Sequence, residues 1–158
     1  MKTKTNAMRR LESAGIPFEV LEYAVDENDL SGTHVADEVG LAHEIVFKTL
    51  VAKGDKTGFV VFCIPVDEEL DLKLAAKQTG NKRIEMLAVK DLLPTTGYIR
   101  GGCSPIGMKK KFPTFVDESA LLHERIALSA GVRGAQILLT VRALLPFIEA
   151  KCVPLTVK

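Results

Sequence analysis

Tryptophan is absent from the 158 residues, and the three cysteines, Cys63, Cys103 and Cys152, are odd in number and far apart. A disulfide-stapled secreted scaffold needs dense, paired cysteines, so free thiols in a reduced, cytoplasmic setting are the expectation. No apolar run approaches the ~18 residues that suggest a membrane span. The opening MKTKTNAMRR leads into Leu11-Glu12-Ser13 without the apolar centre of a signal peptide. Charge of one sign is missing too: 21 basic residues face 20 acidic ones, a net of +1. A general nucleic-acid binder carries a basic excess over the whole domain, so DNA is not expected as a partner and any anion has to meet a local patch. His34, His43 and His123 have no ligand spacing with one another or with the cysteines, which argues against zinc. There is no G-x-S-x-G elbow.

What is there suits one domain over residues 1–158: 47% hydrophobic and 26% charged residues, enough to bury a substantial core. Apolar spacing and the stop at Gly15 predict a helix over Thr3 to Ala14. Pro17 to Val25 reads as a strand, and Ser31 to Val39 as a capped helix ending at Gly40. Ile45 to Lys53 and Phe59 to Pro65 are rich in β-branched and aromatic residues and flank a hairpin turn. In the first, Val46, Lys48 and Leu50 share one face, and Phe47, Thr49 and Val51 the other. Asp71 caps a helix running to Thr79, and a shorter one spans Val89 to Leu93, before Pro94. Thr114–Val116, Arg125–Ser129 and Gln136–Val141 read as strands, and Arg142 to Lys151 as a last helix distorted by Pro146. The order of elements predicts an α+β domain around a mixed, strongly curved, barrel-like sheet flanked by helices.

The most informative stretch is Gly97 to Gly107, with four glycines, Ser104 and Pro105 in eleven residues. Glycine at that density serves backbone geometry or close approach. The stretch nearly offers a P-loop, since Gly102 and Gly107 have the G-x-x-x-x-G spacing. Met108 stands at the lysine position and a lysine follows it at the hydroxyl position, so nucleotide hydrolysis is rejected. Two readings stay open: turns between strands, or backbone N–H groups that stabilise negative charge on a carbonyl oxygen. Lys48, a charge amid aliphatic neighbours, is either an outward-facing side chain or a cation on the sheet face that orients a phosphate or carbonyl. Lys109, Lys110 and Lys111 form a basic run, a solvated turn unless an anion docks beside the loop. Cys103 has no histidine near it in sequence to activate it, so a space-filling role is preferred to a nucleophilic one.

Several ordered motifs, taken together, carry a resemblance. Phe47-Lys48-Thr49-Leu50, Gly97-Tyr98-x-x-Gly101-Gly102-x-Ser104-Pro105-x-Gly107, Lys109-Lys110 with Pro113, and Arg133-Gly134 resemble the YbaK/prolyl-tRNA-synthetase-associated editing domains. So do Asp71-Leu72-Lys73 and the Glu85-Met86 stretch. The resemblance covers essentially the whole chain, and its length favours the free-standing members. It implies a curved α+β fold, no cofactor or metal, and clearance of amino acids mischarged on tRNA, with Cys-tRNA(Pro) as the substrate of the YbaK-type proteins. Alternatives are deacylation of another small aminoacyl group, alanyl or seryl, or a module that binds tRNA or synthetase without turnover. The resemblance further implies that Lys48 is essential and that Gly101 presents its backbone to the substrate carbonyl. Tyr23, Gly102, Ser104, Ser129 and Gln136 would line the pocket, while Lys109, Lys110 and Lys111 would meet tRNA. A transient complex with prolyl-tRNA synthetase is implied as well. The sequence departs from the family at Gln136, where an aspartate is usual. A neutral amide holds a hydroxyl or water but cannot balance an ammonium group.

Overall fold

The computed structural model describes residues 4–158, so Thr3, the first residue of the expected N-terminal helix, lies outside the described residues. In chain order the elements are α1 (Asn6–Ser13), β1 (Glu19–Glu22), α2 (Gly32–Val39), β2 (Phe47–Gly54), β3 (Gly58–Pro65), α3 (Leu72–Thr79), β4 (Ile84–Met86), α4 (Val89–Thr96), β5 (Thr114–Asp117), β6 (Arg125–Ser129), β7 (Ala135–Thr140), α5 (Val141–Phe147) and β8 (Lys151–Val153). The α+β expectation holds. The sheet, however, is two sheets and not a closed barrel. One is antiparallel with order β1-β7-β6; the other is mixed, with order β4-β2-β3-β5-β8. They meet at a single parallel bridge between Val46 and Ala127.

Helix ends follow the local chemistry. Thr5 Oγ1 accepts the Met8 N–H at 3.2 Å to start α1, and Asp71 Oδ1 accepts the Leu74 N–H at 3.0 Å to start α3. Glycines in the left-handed region close α2 and α3, at Gly40 and Gly80. Two proline expectations shift. Pro94 lies inside α4, which continues to Thr96; the residue four before it, Lys90, is exposed, so water can take the carbonyl that proline leaves without a donor. In the other case α5 ends at Phe147, earlier than expected. Glu149 takes a positive φ of 51°, and the chain re-enters the sheet as β8, parallel to β5. Neither β8 nor β4 is in the sequence reading, because three residues are too few to display a period of two.

Alternation along β2 builds two cores, one on each face. Phe47 and Val51 join Val61, Cys63, Val116 and the inner face of β6 and β7 (Ile126, Leu128, Ile137, Leu139), against Ala7, Met8 and Leu11 of α1. Ala52 packs with Val60, Phe62, Ile64 and Phe115 against Ala75 and Ala76 of α3. A smaller cluster of Val46, Val66, Ala127 and Leu138 receives Ala36 of α2. Among the described residues no helix is long and apolar enough to cross a membrane.

The β2–β3 turn is held from outside by the buried Asn81. Its Oδ1 accepts the N–H groups of Lys56 and Thr57 at 2.8 and 3.0 Å, and its Nδ2 donates to Thr57 Oγ1 and Thr79 Oγ1 at 3.1 and 2.7 Å. Gly54 is required beneath it, since a Cβ there would lie 2.3 Å from Asn81 Nδ2. Asn81→Ala is expected to destabilise the protein by about 1–3 kcal/mol through the unmade hydrogen bonds, read as a fall in urea midpoint at unchanged m-value.

Candidate functional site

β4 pairs with β2 only over Ala52 to Gly54, so the first half of β2 is an open edge. Along that edge lies a cleft of about 400 Å³. Its walls come from four places: Val46 with Phe47 to Val51 of β2, the start of α2 with Ser31 and Gly32, Met86, Val89 and Leu92 around α4, and the loop residues Arg100, Gly101 and Cys103. Ser129 and Gln136, partners across β6 and β7, complete it. Among the described residues, none that lines the cleft is a histidine, aspartate or glutamate. The walls are mainly aliphatic, and the cations are Lys48 and Arg100.

Lys48 is half-buried on the β2 face, opposite Ile64, and its Nζ lies 3.5 Å from the Val66 carbonyl oxygen. Burial lowers its pKa from the usual lysine value, and the nearby carboxylates of Glu69, Asp67 and Glu68 oppose that shift. Arg100 is exposed, at the mouth. Ser129 and Gln136 are 7% and 6% exposed. Ser129 Oγ accepts the Gly131 N–H at 3.1 Å, whereas Gln136 Oε1 is buried without a hydrogen-bond partner. A buried acceptor left in that condition is costly, so a donor entering the cleft gains from meeting it. Cys103 is also buried, and burial pushes its thiol up to about 12, with only partial relief from the Thr96 hydroxyl. At neutral pH it is a protonated, weakly nucleophilic group.

The glycine loop has a defined geometry. Gly97, with φ +86°, caps α4. The Gly102 N–H then donates to the Ile99 carbonyl at 2.9 Å, closing a β-turn with Arg100 and Gly101 at its centre. Gly101 has φ +85° while φ of Arg100 is not positive, the signature of a type II turn. Tyr98 is the hub on the inner side: its hydroxyl donates to the Ile106 carbonyl at 2.5 Å. A Cβ on Gly107 would lie 2.9 Å from that hydroxyl, and one on Gly131 would lie 3.0 Å from the ring.

The sequence-predicted residues separate accordingly. Lys48, Gly101, Ser129 and Gln136 come together in one cleft. Gly102 and Ser104 do not line it. Gly102 closes the turn and faces the backbone of Val132 and Arg133, where a Cβ would be 3.2 Å away. Ser104 is fully buried, its hydroxyl accepting the Ile106 N–H at 3.2 Å. Tyr23 is also outside the cleft walls; it lies just past β1, with its N–H donating to Gly134 at 3.0 Å. Lys109, Lys110 and Lys111 line a second cavity of about 300 Å³, together with Arg10, Phe112 and Phe147, and it shares no lining residue with the cleft. The loop dives through the core at Ser104 and Ile106 before these lysines emerge, which is why adjacency in sequence does not place them beside the cleft. There Lys111 pairs with Glu149. Arg100 and the Ser31-Gly32 pair also line the cleft, although no motif in the sequence marks them for it. Gly32 held a signal, because it allows α2 to approach Val66, whose Cγ1 a Cβ would meet at 2.4 Å.

Comparison with known proteins places this geometry in context. Residues 31–147 match the family model described as an aminoacyl-tRNA editing domain. A protein of Enterococcus faecalis named as a candidate Cys-tRNA(Pro)/Cys-tRNA(Cys) deacylase, EbsC, is 51% identical over 155 residues, spanning 98% of this chain and 94% of that one. Among solved structures, a candidate trans-editing enzyme for prolyl tRNA synthetase superposes with a TM-score of 0.84 at 25% identity, covering 99% of this chain and 100% of that one. The protein APE2540 shares the fold, with a TM-score of 0.87 at 18% identity over 97% of this chain and 100% of its own.

Burial of the thiols has a direct consequence. With Cys63 and Cys103 both pushed up to about 12 by burial, neither is expected to react with iodoacetamide at pH 8 in the folded protein. Mass spectrometry of native and urea-unfolded samples checks this: full labelling only after unfolding is the expected result.

Proposed function

The chain belongs to the aminoacyl-tRNA editing domain family, and from that premise we propose that it clears mischarged tRNA(Pro) in trans, with Cys-tRNA(Pro) as the principal substrate. One observation carries the reading: a cleft with two cations, an open backbone edge and a glycine turn, yet no histidine or carboxylate along its described walls. Such a site binds an anion and polarises a carbonyl; with Lys48 acting as the cation, no histidine or carboxylate on the described walls is left to activate water, and the buried Cys103 thiol is not an activated nucleophile. The attacking group then has to arrive with the substrate. In a cysteinyl ester the substrate thiol attacks its own carbonyl carbon. The C–S bond forms, the ester C–O bond breaks, and the thiol proton passes to the departing 3′-oxygen, leaving a cysteine thiolactone and free tRNA. Intramolecular attack gains effective molarity without a catalytic triad.

The protein's part is placement and charge. Lys48 and Arg100 face the phosphate and ester of the tRNA 3′ end, aided by the positive end of α2 at Ser31 and Gly32. Exposed Met86 and Val89 offer an apolar platform at the rim for the terminal base. Gly101 supplies an N–H to the developing oxyanion. Ser129 and Gln136 meet the small side chain and amino group. The second, lysine-lined cavity supports a separate contact with the tRNA backbone. So few phosphate contacts mean modest, salt-sensitive affinity, which supports a transient complex with prolyl-tRNA synthetase as the source of tRNA selection.

Gln136 favours a second reading of the specificity. Its unpartnered oxygen can accept from a hydroxyl or an amine, and more weakly from a thiol, so a seryl ester would also fit, and pocket contacts alone discriminate such isosteres weakly. Incubation with Cys-tRNA(Pro), Ala-tRNA(Pro) and Ser-tRNA, following release of the amino acid, tests both. Release from Cys-tRNA(Pro) alone supports the substrate-thiol route. Release from Ala-tRNA(Pro) at a similar rate overturns it, and binding without release overturns the enzyme reading altogether.

Lys48→Ala is expected to lower deacylation by on the order of 10²–10³, the range for loss of an electrostatic stabiliser. Cys103→Ala is expected to stay within about threefold of wild type, under 1 kcal/mol in barrier. Because burial lowers the Lys48 pKa, activity that depends on its cation should decline as pH rises through a value below the usual ~10.4 of lysine. Lys48→Arg should remove that alkaline limb from the pH–rate profile.

A further inference from the structure

We infer that Arg133 is the positioning residue of the carbonyl-binding turn: by holding the Arg100 carbonyl it aims the Gly101 N–H into the cleft. The inference rests on the deacylase reading for its kinetic consequence, though not for its geometry. In the type II turn from Ile99 to Gly102, the two end residues are tied by their own hydrogen bond, Gly102 N–H to the Ile99 carbonyl at 2.9 Å. The central peptide, Arg100–Gly101, takes no part in that bond and is the one that flips between type I and type II. Its carbonyl oxygen accepts from Arg133 Nε at 2.8 Å. The peptide is trans and planar, so its C=O and N–H point in opposite directions. A donor holding the oxygen on one side therefore fixes the hydrogen on the other. Gly101 lines the cleft, and Arg133 does not.

The position of Arg133 is itself over-determined. It sits in the β6–β7 hairpin loop, closed by the Ala130 N–H to the Ala135 carbonyl at 3.1 Å. Gly131 and Gly134, at φ +97° and +96°, bracket it in left-handed conformations. The loop is pressed on the turn from below, since the backbone of Val132 and Arg133 leaves no room for a Cβ on Gly102. Ser129 Oγ accepts the Gly131 N–H, so the hairpin that carries Arg133 also carries a cleft residue at its base. The two loops thus set the carbonyl donor and the Ser129–Gln136 pair as one unit.

Two near-isosteric substitutions separate the hydrogen bond from the bulk and the charge. Glutamine places an amide N–H where the arginine Nε stands; methionine places a methyl there. Arg133→Met is expected to lower kcat for Cys-tRNA(Pro) deacylation by roughly 10- to 100-fold with KM within about threefold. That is smaller than the ~10² to 10³ lost with a stabilising donor itself, because the N–H remains but is no longer held. Arg133→Gln should recover most of the kcat. Wild-type kcat in Arg133→Met, or equal loss in both variants with melting temperatures retained, overturns the inference. The geometry is tested apart from activity, and without any variant, by the NMR coupling across the hydrogen bond between Arg133 Nε and the Arg100 carbonyl carbon. Its presence supports the clamp even in a protein that releases no amino acid, and its absence overturns the clamp in one that does.

Discussion

The contact between the glycine loop and the β6–β7 hairpin is the constraint on which the site depends. It consists of one hydrogen bond, Arg133 Nε to the Arg100 carbonyl, and one close approach, Gly102 against the backbone of Val132 and Arg133. The two segments are some thirty residues apart in sequence and belong to different parts of the fold. Their meeting fixes a peptide plane at the cleft, and a fixed dipole acts on developing charge without reorganising during reaction. Tyr98 extends the same lock inward, filling space that Gly107 and Gly131 leave open. The glycines are thus needed for three separate reasons: left-handed φ at Gly97 and Gly101, close approach at Gly102, and both at Gly107 and Gly131.

Around that lock the cleft is defined by which groups it excludes. Its aliphatic walls lower the dielectric near Lys48 and strengthen every charge interaction inside. The same burial keeps Cys103 protonated, so the one thiol at the site is a wall and not a nucleophile. A pocket of this kind selects by geometry and by the reactivity of what enters it. That division of labour fits a cleft lined by a lysine, a glycine turn and two neutral polar side chains.

Much of this was legible in the sequence. Asp71 and Ser31 marked helix starts, the alternation of β2 placed Lys48 on a face, and the hairpin turn lay between two β-branched runs. The density of glycine from Gly97 to Gly107 identified the loop, and the ordered motifs identified the family. Other features were hidden for physical reasons. β4 and β8 are three residues each and exist only because a neighbouring strand offers a ladder. Lys109 to Lys111 follow the loop in sequence but face another cavity, because Ser104 and Ile106 pass through the core between them. Gly102, Ser104 and Tyr23 are likewise near the site in sequence or in motif, yet they support it from outside the cleft.

By itself, then, the sequence determined the α+β class, most elements, the glycine-dense loop, the lysine amid aliphatic neighbours, and the family. These follow from local rules: period, capping, and the backbone needs of glycine. Only the tertiary structure decided that the sheet divides in two and leaves the edge of β2 open. It set Gln136 and Ser129, which the resemblance implied for the pocket, beside Gly101 while leaving Gly102, Ser104 and Tyr23 outside, and it put Arg133 against the Arg100 carbonyl. Such relations join residues far apart along the chain through packing and single hydrogen bonds, and no periodicity in the sequence records them.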